Sequence, residues 1–192
     1  MPRTIETDTI CQQCWDLALY AYGTATAFQK RSQKYKKQLR WLSFAGIVFP
    51  LIIGSLVLGF GTNLKHLHLY IAVGVLAGVA QLVVSAWSYV SGWADELDYS
   101  AESAADNFAL SAKFRDLGTQ AQNPPADIEV RFAEIKALDN ARRLSDSKRG
   151  LTFKELRYAH RAGLRQFNRE CTGCGKVPVS MEPTDCQVCG GF

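Results

Sequence analysis

Two blocks of the chain carry no charge at all: WLSFAGIVFPLIIGSLVLGF at 41–60 and LYIAVGVLAGVAQLVVSAWSYV at 69–90. Each has about the 20 residues that a helix needs to cross the hydrocarbon of a bilayer. Almost no face of either is polar, whereas the buried helix of a soluble bundle normally keeps a polar face. Both therefore predict transmembrane helices. The link GTNLKHLH at 61–68 is too short to hold a domain, so the spans form a tight antiparallel hairpin and both termini share one side of the membrane.

The pattern changes to a one-sided helical period outside these blocks. Over residues 7–38, Cys11, Trp15, Ala18, Tyr22 and Ala25 fall on one stripe, and no proline separates this stretch from the first span, so one helix should run into the membrane. After the second span, Leu97, Ala101, Ala104, Ala105, Phe108 and Ala112 mark another amphipathic helix, ended or turned by Asn123, Pro124 and Pro125. A further helix is expected near 126–144, with Ile128, Phe132, Ile135 and Leu138 on one face. The last starts at Thr152, where Thr152 and Glu155 have capping-box spacing, and carries Phe153, Leu156, His160, Leu164 and Phe167.

The expected fold is an all-α membrane protein: a two-helix transmembrane hairpin, long cytoplasmic helices and a small C-terminal zinc ribbon or knuckle. Its expected domains are a two-transmembrane helical domain at 1–118, a cytoplasmic helical segment at 119–169 and a four-cysteine module at 170–192. No internal repeat or low-complexity segment interrupts this order.

Charge fixes the orientation. The formal net charge of +4 hides a segregation: six of the 22 Lys and Arg fall at 30–40 (Lys30, Arg31, Lys34, Lys36, Lys37, Arg40) and nine at 142–169. Only Lys65 sits in the link, so the positive-inside rule places both termini in the cytoplasm, at the inner membrane of a bacterium. The first 40 residues are polar and charged throughout and do not predict a cleavable secretory signal. His66 and His68 read as interfacial residues of the outer link.

Candidate chemistry enters at the end of the chain, CTGCGKVPVSMEPTDCQVCGGF. Cys171, Cys174, Cys186 and Cys189 make a C-x2-C, eleven residues, C-x2-C pattern, and each pair is followed by a glycine, Gly175 or Gly190, free to take positive φ in a metal knuckle. Four thiolates close a tetrahedral zinc site with no open position, which is structural rather than hydrolytic. In a reducing cytoplasm this outweighs a pair of disulfides. A third pair, Cys11 and Cys14, lies inside a helix, where it reads either as small packed residues or as a redox or shared-metal pair.

Inside the spans, Gly74, Gly78, Gln81, Ser85 and Ser88 form a stripe of small and polar residues that could pack helices closely or line a water-filled lumen in an oligomer. Pro50 should bend the first span. No intramembrane acid, Lys, Arg or His is present, which argues against a proton relay or an ion-coupled transporter. Arg157, Arg161, Arg165 and Arg169 recur every four residues, with Arg142, Arg143, Lys148 and Arg149 nearby, as a ridge for an anion or an acidic partner, or as a solvated face. Nothing pairs a nucleophile with a base or builds a phosphate loop, so neither an enzyme nor a small-molecule substrate is expected.

The polar helix ending in FQKRSQKYKKQLRW, the span FAGIVFPLIIGSLVLGF, a short turn, a second span and a following helix resemble the SLATT group over residues 8–117. These are two-transmembrane effectors associated with bacterial nucleotide-signalling defence systems. The cysteine spacing is similar to that of small membrane proteins carried on bacterial mobile elements. The SLATT resemblance implies homo-oligomeric pores that permeabilise the inner membrane when a partner signals, and it carries no catalytic residues. It leaves open whether a signalling nucleotide, a nucleic acid or a protein is the trigger. The rival expectation is a non-conducting anchor whose zinc module and Arg-rich helix recruit nucleic acid or a protein. A third is a redox sensor using Cys11 and Cys14.

Overall fold

The computed structural model describes residues 5–60, 67–120 and 124–192. Lys65, His66, Asn123 and the side chain of His68 lie outside the described residues. Five helices follow in order: α1 Ile5–Phe60, α2 Leu67–Val90, α3 Trp93–Gln120, α4 Ile128–Arg149 and α5 Phe153–Gln166. Among the described residues there is no strand. The chain divides into two compact units, Met1–Lys30 with Ser100–Phe192, and Arg31–Tyr99.

No proline interrupts the sequence from Ile5 to Phe49, and α1 is accordingly one helix of 56 residues. It also continues through Pro50, whose ring cannot donate to the Gly46 carbonyl one turn earlier.

In the unit Arg31–Tyr99, α1 and α2 pair antiparallel. Arg31 meets Glu96 at 3.1 Å, Gln81 Nε2 donates to the Leu42 carbonyl at 2.9 Å, and Ile53 lies against Gly74. Gly46 has no side chain where a Cβ would come within 3.1 Å of the Gln81 amide. The expected small-residue stripe is thus used in part within one hairpin. Gly74 lets α1 approach, Ser88 is buried, Ser85 is half-buried, and Gly78 faces open space. Most large apolar side chains of both helices point outward, among them Ile47, Leu51, Leu58, Leu76 and Leu82. The two helices are long and apolar enough to cross a membrane.

The unit Met1–Lys30 with Ser100–Phe192 packs the first turns of α1 against α3, α4 and α5. One cluster joins Ile10, Cys14 and Ala18 of α1 to Phe114, Leu117 and Ile128. The other joins Leu19 to Leu164, Cys171 and Cys189. Small residues let the α1 and α5 backbones nearly touch: a Cβ on Gly23 would run into the Ala159 carbonyl, and one on Gly163 would meet the Leu19 carbonyl at 2.7 Å.

Three expected faces are corrected here. On α3 the buried side is Ser100, Ser103, Ala104, Asn107, Leu110, Ser111 and Phe114, while Ala101 and Ala105 are exposed. The reason is a buried carboxylate across the interface: Asp146 of α4 accepts from Ser103 Oγ at 2.7 Å and Asn107 Nδ2 at 2.8 Å. On α4, which runs on to Arg149, Ile128 is buried but Leu138 is exposed; Asp139 and Asp146 take the inner positions. On α5 Phe153 and Leu156 are exposed, while the buried side of the helix is Ala159, Ala162, Gly163 and Leu164, with Gly163 and Leu164 against Leu19 of α1. The capping box at its start is present as expected.

Candidate metal centre

The centre begins where α5 ends. After Gln166 the chain turns through Asn168 at φ 51°, and Arg169 N–H donates back to the Leu164 carbonyl at 2.9 Å. That turn delivers Cys171, buried, against Leu19 and Leu164. Two knuckles of like construction follow. Gly175 N–H donates to the Cys171 carbonyl at 2.7 Å, and Gly190 N–H to the Cys186 carbonyl at 2.8 Å.

The glycines serve these turns for different reasons. Gly175 takes positive φ, 66°. Gly190 does not: it is Gly191 that takes φ 69°, and Gly190 is needed because a Cβ would strike Thr184.

All four sulfurs lie within 4.8 Å of one another, with Cys171 and Cys186 Sγ 3.9 Å apart and Cys174 and Cys189 Sγ likewise 3.9 Å apart. Four metal–sulfur bonds of about 2.3 Å in a tetrahedron require sulfur separations of about 3.8 Å, so the cluster has the size of a four-thiolate metal site. The six cysteines of the chain are all free thiols. Backbone N–H groups point into the cluster, as knuckles require. Gly173 N–H lies 3.4 Å from Cys171 Sγ, and the N–H groups of Cys189 and Val188 pull the Cys186 thiol down to about 6. Burial pushes Cys189 up to about 12. The chain between the pairs has no strand, so the module is two knuckles and not a ribbon.

A guanidinium holds this module to α5. Arg161, 5% exposed, donates from Nε to the Ser180 carbonyl at 2.8 Å and from Nη1 to Thr184 Oγ1 at 3.3 Å and the Cys189 carbonyl at 3.2 Å; Nη1 also lies 3.8 Å from Cys189 Sγ. A cation so placed offsets the negative charge that four thiolates bring to a divalent ion. The expected four-arginine ridge is therefore divided. Arg161 faces the cysteines, Arg157 reaches the Gly191 carbonyl at 3.4 Å, Arg165 is exposed, and Arg169, beyond the helix end, pairs with Asp16 at 3.5 Å. Arg142 is drawn into contacts with Glu102, Asp106 and Asp146.

Beyond Gly191, Phe192 stacks edge-on against Tyr158 at 5.2 Å, and Lys30 Nζ sits 3.8 Å over the Tyr158 ring. Sequence reading missed this clasp and the inward turn of Arg161. The signal was the run of small residues at 159, 162 and 163, which marks one side of α5 as the crossing face.

Cys11 and Cys14 lie elsewhere in the unit. Cys14 is fully buried and burial, then Cys11, raises its thiol to about 11. Cys11 Sγ points to the Gly118 carbonyl at 3.5 Å. Among the described residues the cysteine group able to hold a metal is the C-terminal one.

The family described as Mobilome CxxCx(11)CxxC protein matches residues 11–192. No curated protein and no solved structure matches the chain.

Proposed function

From the premise that the chain belongs to the Mobilome CxxCx(11)CxxC protein family, we propose that it is a membrane effector of a bacterial mobile element or defence system. Its α1–α2 hairpins insert in the inner membrane, assemble as a homo-oligomer and permeabilise the membrane when the helical unit, clamped by zinc, receives a signal. The observation that carries the membrane part is exposure: the most apolar windows of α1 and α2 are 0% and 6% buried. Apolar surface of that extent has no place in water and calls for lipid or other copies of the chain as cover. Gly78, with nothing against it, offers a close-approach point to a second hairpin. Four thiolates suit zinc, and such a closed site supplies folding energy without chemistry. Both termini are cytoplasmic in this reading, and no catalytic step is assigned.

Gln81 favours a second reading. Its amide is spent on the Leu42 carbonyl within one hairpin, which leaves α2 with little to line a lumen. A non-conducting anchor that presents the metal-clamped unit to nucleic acid or a protein fits that equally well. Uptake of a small dye by cells induced for the wild type and for Cys171→Ser with Cys174→Ser separates the two. The pore reading expects leakage in the wild type, lost or exaggerated in the variant. Tight membranes in both, at equal membrane levels, leave the anchor.

A further inference from the structure

The residues that precede the apolar part of α1 form a second feature that the proposed pore does not use. Gln33, Lys36, Lys37, Arg40, Trp41 and Phe44 line one open depression of about 600 Å³. They stand at i, i+3, i+4, i+7, i+8 and i+11, which is one stripe of a helix. All are exposed. Among the described residues no carboxylate pairs with Lys36, Lys37 or Arg40; Glu96 is taken by Arg31. Three unpaired cations on one and a half turns repel one another and concentrate positive potential on this stripe, which favours an anion from outside the chain.

The stripe continues in a different character. Trp41 and Phe44, 62% and 55% exposed, meet edge-on at 5.8 Å, and below them Ile47 and Leu51 are each 63% exposed. From Arg40 to Leu51 the helix rises about 16 Å, close to half of the ~30 Å hydrocarbon thickness, which is the depth of one leaflet. Cations at the top, an aromatic pair beneath them and aliphatic side chains for one leaflet below match the three parts of a single phospholipid: headgroup phosphate, glycerol region and acyl chain.

We propose that this stripe is a binding site for an anionic phospholipid of the cytoplasmic leaflet, with Lys36, Lys37 and Arg40 on its phosphate. The inference rests on the membrane placement proposed above and is independent of whether a pore forms. Three contacts at roughly fivefold each set an upper bound on the order of 100-fold over a zwitterionic lipid when all three meet one headgroup; exposed side chains that share their contacts among neighbouring lipids bring the expectation to about tenfold, the worth of one to two full contacts.

The test uses the full chain reconstituted in phosphatidylcholine vesicles, with tryptophan quenching by added brominated phosphatidylglycerol compared with brominated phosphatidylcholine. Half-maximal quenching is expected at about tenfold lower mole fraction for the glycerol lipid. Lys36→Gln, Lys37→Gln and Arg40→Gln together should bring the two curves into coincidence, while Lys136→Gln, Lys148→Gln and Lys154→Gln should leave the gap. Coincident curves for an inserted wild-type protein would overturn the lipid site and leave the membrane placement standing. Equal loss in the second variant would overturn it too, since the preference would then be diffuse charge. Failure of the wild type to enter either vesicle would instead sink the membrane reading.

Discussion

Arg161 occupies a position where no other residue would serve. Its planar fork reaches two carbonyls and a hydroxyl on a segment ten residues long, and lysine can offer only one point of charge. Arg161→Ala leaves the Ser180 and Cys189 carbonyls without their donor and is expected to lower stability by about 3 kcal/mol, with Arg161→Lys recovering less than half. Thermal unfolding of the metal-loaded chain in detergent measures the loss, and colorimetric metal release at rising chelator should show the ion leaving earlier from both variants. His160, on the same helix, supplies a pH dependence. Burial holds its imidazole below 6.5, and Nε2 is buried without a hydrogen-bond partner. The unfolded chain binds this proton near pH 6.5 and the folded chain only at lower pH, so stability present above 6.5 is lost as pH falls toward the folded value, by at most ~1.4 kcal/mol per pH unit. Melting between about pH 7.5 and 5.5 should show this slope, and His160→Gln should flatten it.

Helix by helix, what could be read from sequence depended on whether water or protein sets the pattern. The start of α5 was legible because a capping box is a local device: Thr152 Oγ1 accepts from the Glu155 N–H at 3.3 Å and Glu155 Oε2 accepts from the Thr152 N–H at 2.9 Å. Thr152→Ala should cost about 1 kcal/mol, read from the same thermal melts. The cysteine spacing was legible for the same reason, since ligand type and separation alone define the cluster. The inner faces of α3 and α4 were not, because Ser103, Asn107 and Asp146 look like solvated positions until one carboxylate is found accepting from both partners in the interior. Periodicity counts apolar residues and is blind to a satisfied polar seam. Asp146→Ala strands Ser103 and Asn107 and removes a partner of Arg142, and should destabilise by about 3–5 kcal/mol, whereas Leu138→Ala, at an exposed site once expected to be core, should change stability by less than about 0.5 kcal/mol. Chemical denaturation of the three proteins side by side checks both figures.

At the scale of the molecule, the four-cysteine cluster is a wall of a core. Cys171 and Cys189 pack on Leu19 and Leu164, so loss of the ion should loosen the unit Met1–Lys30 with Ser100–Phe192 and leave the α1–α2 hairpin helical. Limited trypsin digestion with and without chelator is the measurement: cleavage at Lys176 should speed up at least tenfold on metal removal, and an unchanged rate would mean that the knuckles hold without a metal. The close crossing of α1 and α5 has a further consequence in the time order of synthesis. Gly23 and Leu19 are made before the surfaces that cover them: Ala159, Gly163 and the cysteine knuckles follow more than 130 residues later. Until then Leu19 and Gly23 lack their cover, although the Cys14 and Ala18 part of the same face already has Phe114 and Leu117 of α3 to meet. A nascent chain thus carries one half of this crossing well before the other, and the cysteine cluster completes a surface laid down more than 130 residues before it.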